Sequence, residues 1–153
     1  MTWFERIADY SMGDTLGRFW RLFRRRERTK SGFLRRVRTF RLNRMAHRHG
    51  GYVGNGALLA DIPFLPHGLH GIYISRYARI GAHCCIYQNV TIGEAAHGAP
   101  TIGDHCLIGA GAVLIGPIRI GNHVKIGAGA VVSADVPAGC TVVAQPPRVI
   151  AKE

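Results

Sequence analysis

The sequence lacks a predicted membrane-spanning segment and a recognisable signal peptide. No run of eighteen apolar residues occurs, so no membrane-spanning helix is predicted. Residues 1–10 carry acidic side chains and lack the apolar stretch of a signal peptide. The four cysteines have no CxxC spacing, and three of them fall within a repeat, where a reduced thiol acts as a compact apolar side chain. We therefore expect a cytoplasmic protein with reduced, structural cysteines.

Acidic residues are also scarce, and the imbalance is confined to one part of the chain. The sequence has 20 Lys and Arg against 9 Asp and Glu. Residues 1–50 hold 14 of the basic residues and 4 of the acidic ones, whereas the remaining 103 residues are nearly neutral. The excess positive charge thus belongs to the N-terminal segment. It comes without a recognisable nucleic-acid recognition module, so no nucleic-acid partner is predicted.

Residues 1–50 are predicted to form a basic, amphipathic helical segment in two pieces, broken near residues 29–32. Aromatic and aliphatic residues recur at helical spacing in both pieces, for example at Phe19 and Phe23, and at Phe33 and Phe40. Such a segment is compatible with contact to an anionic membrane surface or a partner protein. The alternative is a solvated basic face above apolar contacts to the rest of the chain or to neighbouring chains.

Most of the second half of the chain repeats every six residues. Apolar residues begin successive hexads at Ile74, Ile80, Ile86, Ile92, Ile102, Ile108, Leu114, Ile120, Ile126 and Val132. Small or β-branched residues lie four positions later, at Ala78, Cys84, Val90, Cys106, Ala112, Ile118, Val124, Ala130 and Val136. This period is the signature of a β-solenoid, with three hexads in each triangular coil. We predict a parallel solenoid with a C-terminal tail over residues 71–153, preceded by a transition over residues 51–70.

The repeat is interrupted once, between Ile92 and Ile102, where the step is ten residues instead of six. A solenoid accommodates four extra residues by extruding a loop at a corner, and such loops often mark the binding face. This loop contains Glu94 and His97. Elsewhere, three further histidines hold one hexad position in successive coils: His83, His105 and His123. Corner positions often need positive φ, so we interpret these three as turn residues and predict no metal site.

Several segments resemble the serine O-acetyltransferase branch of the hexapeptide-repeat acyltransferases. They are Leu65–Ile74 with its histidine motif, Tyr87–Gly93, the two Ile-Gly-Ala-Gly-Ala stretches at 108–112 and 126–130, and the tail at 146–150. The resemblance covers roughly residues 63–152. It implies a mainly β fold, a left-handed parallel β-helix preceded by a short N-terminal α-helical segment. It also implies transfer of an acetyl group from acetyl-CoA to a hydroxyl, and a homotrimer with sites between subunits.

The resemblance also implies roles for individual residues. His67 would be the general base, because an imidazole titrates near neutral pH and can take the proton of an attacking hydroxyl. His97 would be a second active-site histidine, Asp61 would orient the base or hold substrate, and His70 is the rival of His67. Acetyl-CoA would lie along Gly93, Ala110, Gly111, Ala128 and Gly129, with its phosphates near Arg148 and Lys152. The alternatives are turn, loop, corner and tail residues without a functional role.

Three functions remain open from the sequence. The first is an acetyl-CoA-dependent O-acetyltransferase acting on a small molecule such as L-serine. The second is O-acetylation of a sugar or a surface polysaccharide by the same scaffold. The third is a non-enzymatic solenoid that docks on a partner or an anionic membrane through its basic N-terminal segment.

Overall fold

The computed structural model of the chain describes residues 16–95 and 98–146. Two helices come first in this part, α1 at Gly17–Glu27 and α2 at Gly32–Arg48. The predicted break between two helical pieces is confirmed, since residues 28–31 separate them. No helix in the described part of the chain is both long enough and apolar enough to cross a bilayer.

Local signals explain where α2 begins and ends. The Ser31 hydroxyl accepts a hydrogen bond from the Leu34 amide at 3.5 Å, which caps an amide without a helical partner. At the other end Gly50 adopts a φ of 65°, a left-handed conformation that glycine reaches without steric cost. Its amide donates to the His47 carbonyl at 3.0 Å. The chain is thereby turned out of the helix and into the first strand.

Thirteen short strands follow in residues 52–142 of the described chain, and every pairing between them is parallel. They are β1 Tyr52–Val53, β2 Leu58–Leu59, β3 Tyr73–Ile74, β4 Arg79–Ile80, β5 Cys85–Ile86, β6 Thr91–Gly93, β7 Thr101–Ile102, β8 Leu107–Ile108, β9 Val113–Ile115, β10 Arg119–Ile120, β11 Lys125–Ile126, β12 Val131–Val132 and β13 Thr141–Val142. They form three sheets, ordered β1-β3-β6-β9-β12, β2-β4-β7-β10 and β5-β8-β11-β13. The three sheets are the faces of the solenoid predicted from the repeat.

The hexad residues form the core of this solenoid. Ile86 pairs with Ile108, and Ile108 pairs with Ile126, so identical side chains stack one coil above the next. All three have no exposed surface. The small residues four positions later, such as Ala112 and Val124, are equally buried and let the chain turn inside the prism. The alternation of exposed and buried residues within each two-residue strand follows from the pleat of the backbone.

The first coil starts earlier than the sequence predicts. Strands β1 and β2 lie inside residues 51–70, the segment expected to be a transition, and Val53 pairs with Ile74 of the next coil. Pro63 and Pro66 of this segment have no N–H to donate within a strand. Strands of two residues leave room for prolines at the corners, and Phe64 between them still bridges to Cys85.

Helix α1 packs its aromatic residues inward and carries one buried charge. Phe19, Trp20 and Phe23 are nearly fully buried, and the rings of Trp20 and Phe23 meet edge to face with centroids 5.8 Å apart. Arg26 is also buried, and its Nε donates to the Thr39 hydroxyl of α2 at 3.0 Å. Burial lowers the pKa of Arg26. This bond therefore satisfies one donor of a desolvated guanidinium and joins the two helices.

All four cysteines are free thiols, as predicted, and their different accessibilities lead to the first testable expectation. Cys84 and Cys106 are 1% exposed, whereas Cys140 is exposed. A hydrogen bond with Cys106, together with burial, raises the pKa of Cys84. We expect a thiol reagent to modify Cys140 first in the native protein and to reach Cys84 only after unfolding. A Cys140→Ser variant should lose the fastest phase and Cys84→Ser should keep it; a fast phase that survives Cys140→Ser contradicts the assignment.

Candidate active site

His67 lies in a second irregularity of the repeat, at the corner that follows the sheet of β5, β8, β11 and β13. The first coil contains three residues more than the regular eighteen. Two pairings with the next coil show this: Phe64 bridges to Cys85, and the His70 carbonyl accepts a hydrogen bond from the Asn89 amide. The extra residues therefore lie between Leu65 and His70, and His67 is among them. Its side chain is exposed, with the ring centroid 6.0 Å from that of Tyr87. This corner, called the His67 corner below, presents an imidazole to solvent.

The His67 corner continues along the solenoid as a column of turns. Gly71, Asn89, Gly111 and Gly129 follow one another, one per coil, with φ between 59° and 68°. The amide of Gly129 donates to the Ala110 carbonyl of the preceding coil at 2.8 Å. Two residues predicted to line an acetyl-CoA groove, Gly111 and Gly129, thus share the corner of His67, and so do Ala110 and Ala128.

The alanines of this column leave backbone donors available. Within the described residues, the amides of Ala110 and Ala128 donate to no other group. Neither residue is buried. Gly109 is required by packing, because a Cβ there would lie 2.6 Å from the Ala128 nitrogen. The column is therefore an edge of small residues whose Ala110 and Ala128 N–H groups have no partner within the described chain.

Gln88 is a residue of this corner that sequence reasoning missed. Its side-chain oxygen is buried and accepts no hydrogen bond within the described part of the chain. A buried acceptor without a donor costs about 1–3 kcal/mol, and an N–H or O–H group of a ligand would supply the missing bond. The repeat could have identified this residue. Gln88 holds the position that Ala110 and Ala128 hold in later coils, where a small residue would have been enough.

Asp61 does not lie at the His67 corner. It follows β2, at the corner between the sheet of β2 and the sheet of β5. There its Oδ1 accepts hydrogen bonds from the Arg24 side chain at 3.3 Å and from the Ile62 amide at 2.7 Å. Its Oδ2 lies 3.9 Å from Nδ1 of His83. Within one chain Asp61 therefore orients no part of His67. The contacts it makes join α1 to the first coil and close a turn.

The three histidines of one hexad position stack at the same corner as Asp61. The ring centroids of His83 and His105 are 4.9 Å apart, and those of His105 and His123 are also 4.9 Å apart. All three have φ between 56° and 58°, so their interpretation as turn residues with positive φ is confirmed. Among the residues that the structure describes, no group of His, Cys, Asp or Glu is arranged to hold a metal ion.

The extruded loop lies at the third corner, after β6. Gly93 ends that strand and pairs with Ile115. Glu94 follows, and its Oε2 accepts a hydrogen bond from the buried Ser75 hydroxyl at 2.6 Å. A bridge between Ala95 and Gly98 closes the base of the loop. Within one chain, Gly93 and the loop are thus on a different corner from His67.

Three predicted site residues lie outside the described residues. They are His97 of the loop, and Arg148 and Lys152 of the tail. Their proposed roles stay predictions.

Both the sequence and the fold are similar to those of known proteins. Residues 99–134 match the family described as bacterial transferase hexapeptide (six repeats). A serine acetyltransferase from Synechococcus elongatus is 46% identical over 99 residues, which cover 62% of this chain and 40% of that protein. The crystal structure of Neisseria gonorrhoeae serine acetyltransferase in complex with serine matches 86% of this chain and 55% of that one, with a TM-score of 0.74 and 34% identity. The crystal structure of an Entamoeba histolytica serine acetyltransferase (isoform 3) in complex with cysteine matches with a TM-score of 0.65 and 34% identity, covering 74% of this chain and 42% of that one.

The solenoid is similar in sequence and in fold to the hexapeptide-repeat domain of serine acetyltransferases. The predicted fold class, a left-handed parallel β-helix behind a short helical segment, is confirmed. The chain spans about two fifths of the length of the curated serine acetyltransferases that it matches. The part that it shares with them is the hexapeptide-repeat domain.

Proposed function

We propose that this protein is an acetyl-CoA-dependent O-acetyltransferase in which His67 is the general base. The observation that carries the proposal is the position of His67. It is an exposed imidazole in an irregular turn, at the end of a column whose alanine amides are unpaired. A base and a bare, donor-rich edge on one corner are what transfer from a CoA thioester to a hydroxyl requires.

The proposed reaction uses one proton shuttle. Neutral His67 accepts the proton of the acceptor hydroxyl while the oxygen attacks the thioester carbonyl carbon. The tetrahedral intermediate carries an oxyanion, which a backbone N–H donor stabilises. The C–S bond then breaks, the acetyl group stays on the acceptor oxygen as an ester, and the departing thiolate takes the proton from His67. Asp61 is given no step in this reaction, because within one chain it is bonded to Arg24 and does not contact His67.

We further propose that the working form is a homotrimer with its sites between subunits. His67 and Gly93 are at different corners of the same chain, so a single chain cannot bring the base and the loop together. A neighbouring chain that places its loop corner beside the His67 corner would do so. In that arrangement His97 of the loop would be the second active-site histidine, and Arg148 and Lys152 would meet the CoA phosphates.

L-Serine is the first candidate acceptor, and a sugar hydroxyl is the second. One observation favours the sugar. Serine brings an ammonium group that needs a carboxylate partner; the described His67 corner has no Asp or Glu of its own chain, so Glu94 of a neighbouring chain's loop would have to supply it. The residue directly before His67 is Pro66, which also has no carboxylate to pair with an ammonium group. A sugar presents only hydroxyl groups, which Gln88 and backbone groups can satisfy.

Steady-state turnover with acetyl-CoA distinguishes the two acceptors. The assay follows loss of the thioester absorbance with L-serine, with simple hexoses and with an oligosaccharide, each against the His67→Ala background. We expect turnover with at least one acceptor class. Turnover with a sugar and none with serine would reject the amino-acid acceptor and leave acetyl transfer intact. No turnover with any acceptor above the His67→Ala background would reject the enzymatic proposal.

A further inference from the structure

Helix α2 carries an apolar stripe on the side that faces away from the rest of the protein. Phe33, Val37 and Phe40 are 74%, 40% and 67% exposed. With about 3.6 residues per turn, their spacing of four and three places them on one face. Leu42 and Ala46, each 2% exposed, lie on the opposite face and pack inward. The stripe is therefore not the side by which α2 is attached to the protein.

The stripe is surrounded by positive charge. Residues 16–48 contain twelve arginines and one lysine, and Glu27 is the single acidic residue among them. Six of the arginines line a groove of about 520 Å³ between α1 and α2, which Phe40 also borders: Arg18, Arg21, Arg25, Arg41, Arg44 and Arg48. Exposed phenylalanines beside such a concentration of one charge have no role in the proposed acetyl transfer.

The combination of charge and apolar surface selects the kind of partner. A second copy of this chain would bring arginines against arginines. A soluble polyanion would use the charges and leave the two phenylalanines in water. The interface of an anionic bilayer satisfies both, because phosphate groups pair with arginine while aromatic rings enter the boundary of the acyl chains.

We propose that α2 lies in the plane of an anionic phospholipid surface, with Phe33 and Phe40 directed into it and the flanking arginines on the headgroups. The proposal is independent of the proposed acetyl transfer. It predicts that the intact protein binds vesicles according to their surface charge, and that the solenoid stays on the aqueous side.

The test is sedimentation of the full chain with phosphatidylcholine vesicles, with and without phosphatidylglycerol as one third of the lipid. We expect binding to the anionic vesicles alone, and its loss at high salt. The Arg36→Gln/Arg41→Gln/Arg44→Gln variant should weaken the partition coefficient by about fivefold per arginine. The Phe33→Ser/Phe40→Ser variant should weaken it by about tenfold per phenylalanine.

Matched controls come from the solenoid, where Val131 and Val143 are 71% and 75% exposed and Arg79 and Arg119 are exposed. The Val131→Ser/Val143→Ser and Arg79→Gln/Arg119→Gln variants should bind like the wild type. Equal binding to neutral and anionic vesicles, or equal losses in these controls, overturns the proposal. Binding that depends on the arginines and not on the phenylalanines assigns the surface to a soluble polyanion. If the Phe33→Ser/Phe40→Ser variant forms a smaller oligomer than the wild type in the absence of lipid, the apolar stripe binds a second copy of the chain. Both the polyanion outcome and this one overturn the proposal.

Discussion

Replacing His67 with alanine is expected to lower kcat for acetyl transfer by about 10²–10⁴-fold, the usual contribution of a general base. The KM for acetyl-CoA should change little, because His67 lies in the three-residue expansion of the turn and not along the alanine amides that we assign to CoA. His67 is exposed, so the loss of its imidazole removes no core contact. Initial rates at saturating acetyl-CoA, with unfolding followed in parallel, separate the loss of a base from a loss of structure.

His70 provides the matched control for this prediction. It is three residues away and exposed like His67, and its ring centroid lies 6.3 Å from that of His49. A His70→Ala variant should retain kcat within a few fold of the wild type. A second control, His123→Ala, removes an imidazole from the ladder at another corner. If His70→Ala loses as much activity as expected for His67→Ala, while His67→Ala stays active, then the assignment of the base is wrong.

The six-residue period was enough to locate ten of the thirteen strands. Each apolar residue from Ile74 to Val132 at the start of a hexad falls in one of the strands β3–β12. The strands are so short that each contributes one inward side chain to the core. The spacing of these core residues can therefore be read directly from the sequence. Prediction failed where coil length changes. Val136 was assigned to the small-residue column, yet it bridges to Ile120 as the inward residue of a shortened last coil.

The candidate site was predictable in its parts and not in its arrangement. The loop after Gly93 is identified from the break in the repeat, and His67 and Asp61 from the resemblance to the acetyltransferase motifs. Which corner His67 and Asp61 occupy depends on how the first coil is aligned with the second. That alignment cannot be read from the sequence, because Pro63, Pro66 and the three extra residues interrupt the repeat there. A linear spacing cannot reveal that Asp61 turns toward α1, because the ion pair with Arg24 joins residues far apart in sequence.

Replacing Ile108 with alanine is expected to lower the free energy of unfolding by about 2–5 kcal/mol. Ile108 has no exposed surface and lies between Ile86 and Ile126 in the central coils. In a solenoid each coil contacts only its neighbours, so one cavity weakens two interfaces. Ile115 is the matched control, since it loses the same atoms in Ile115→Ala but is 39% exposed. Urea unfolding should show a change of no more than about 1 kcal/mol for that control, and equal losses in the two variants would contradict a core built from the stacked hexad residues.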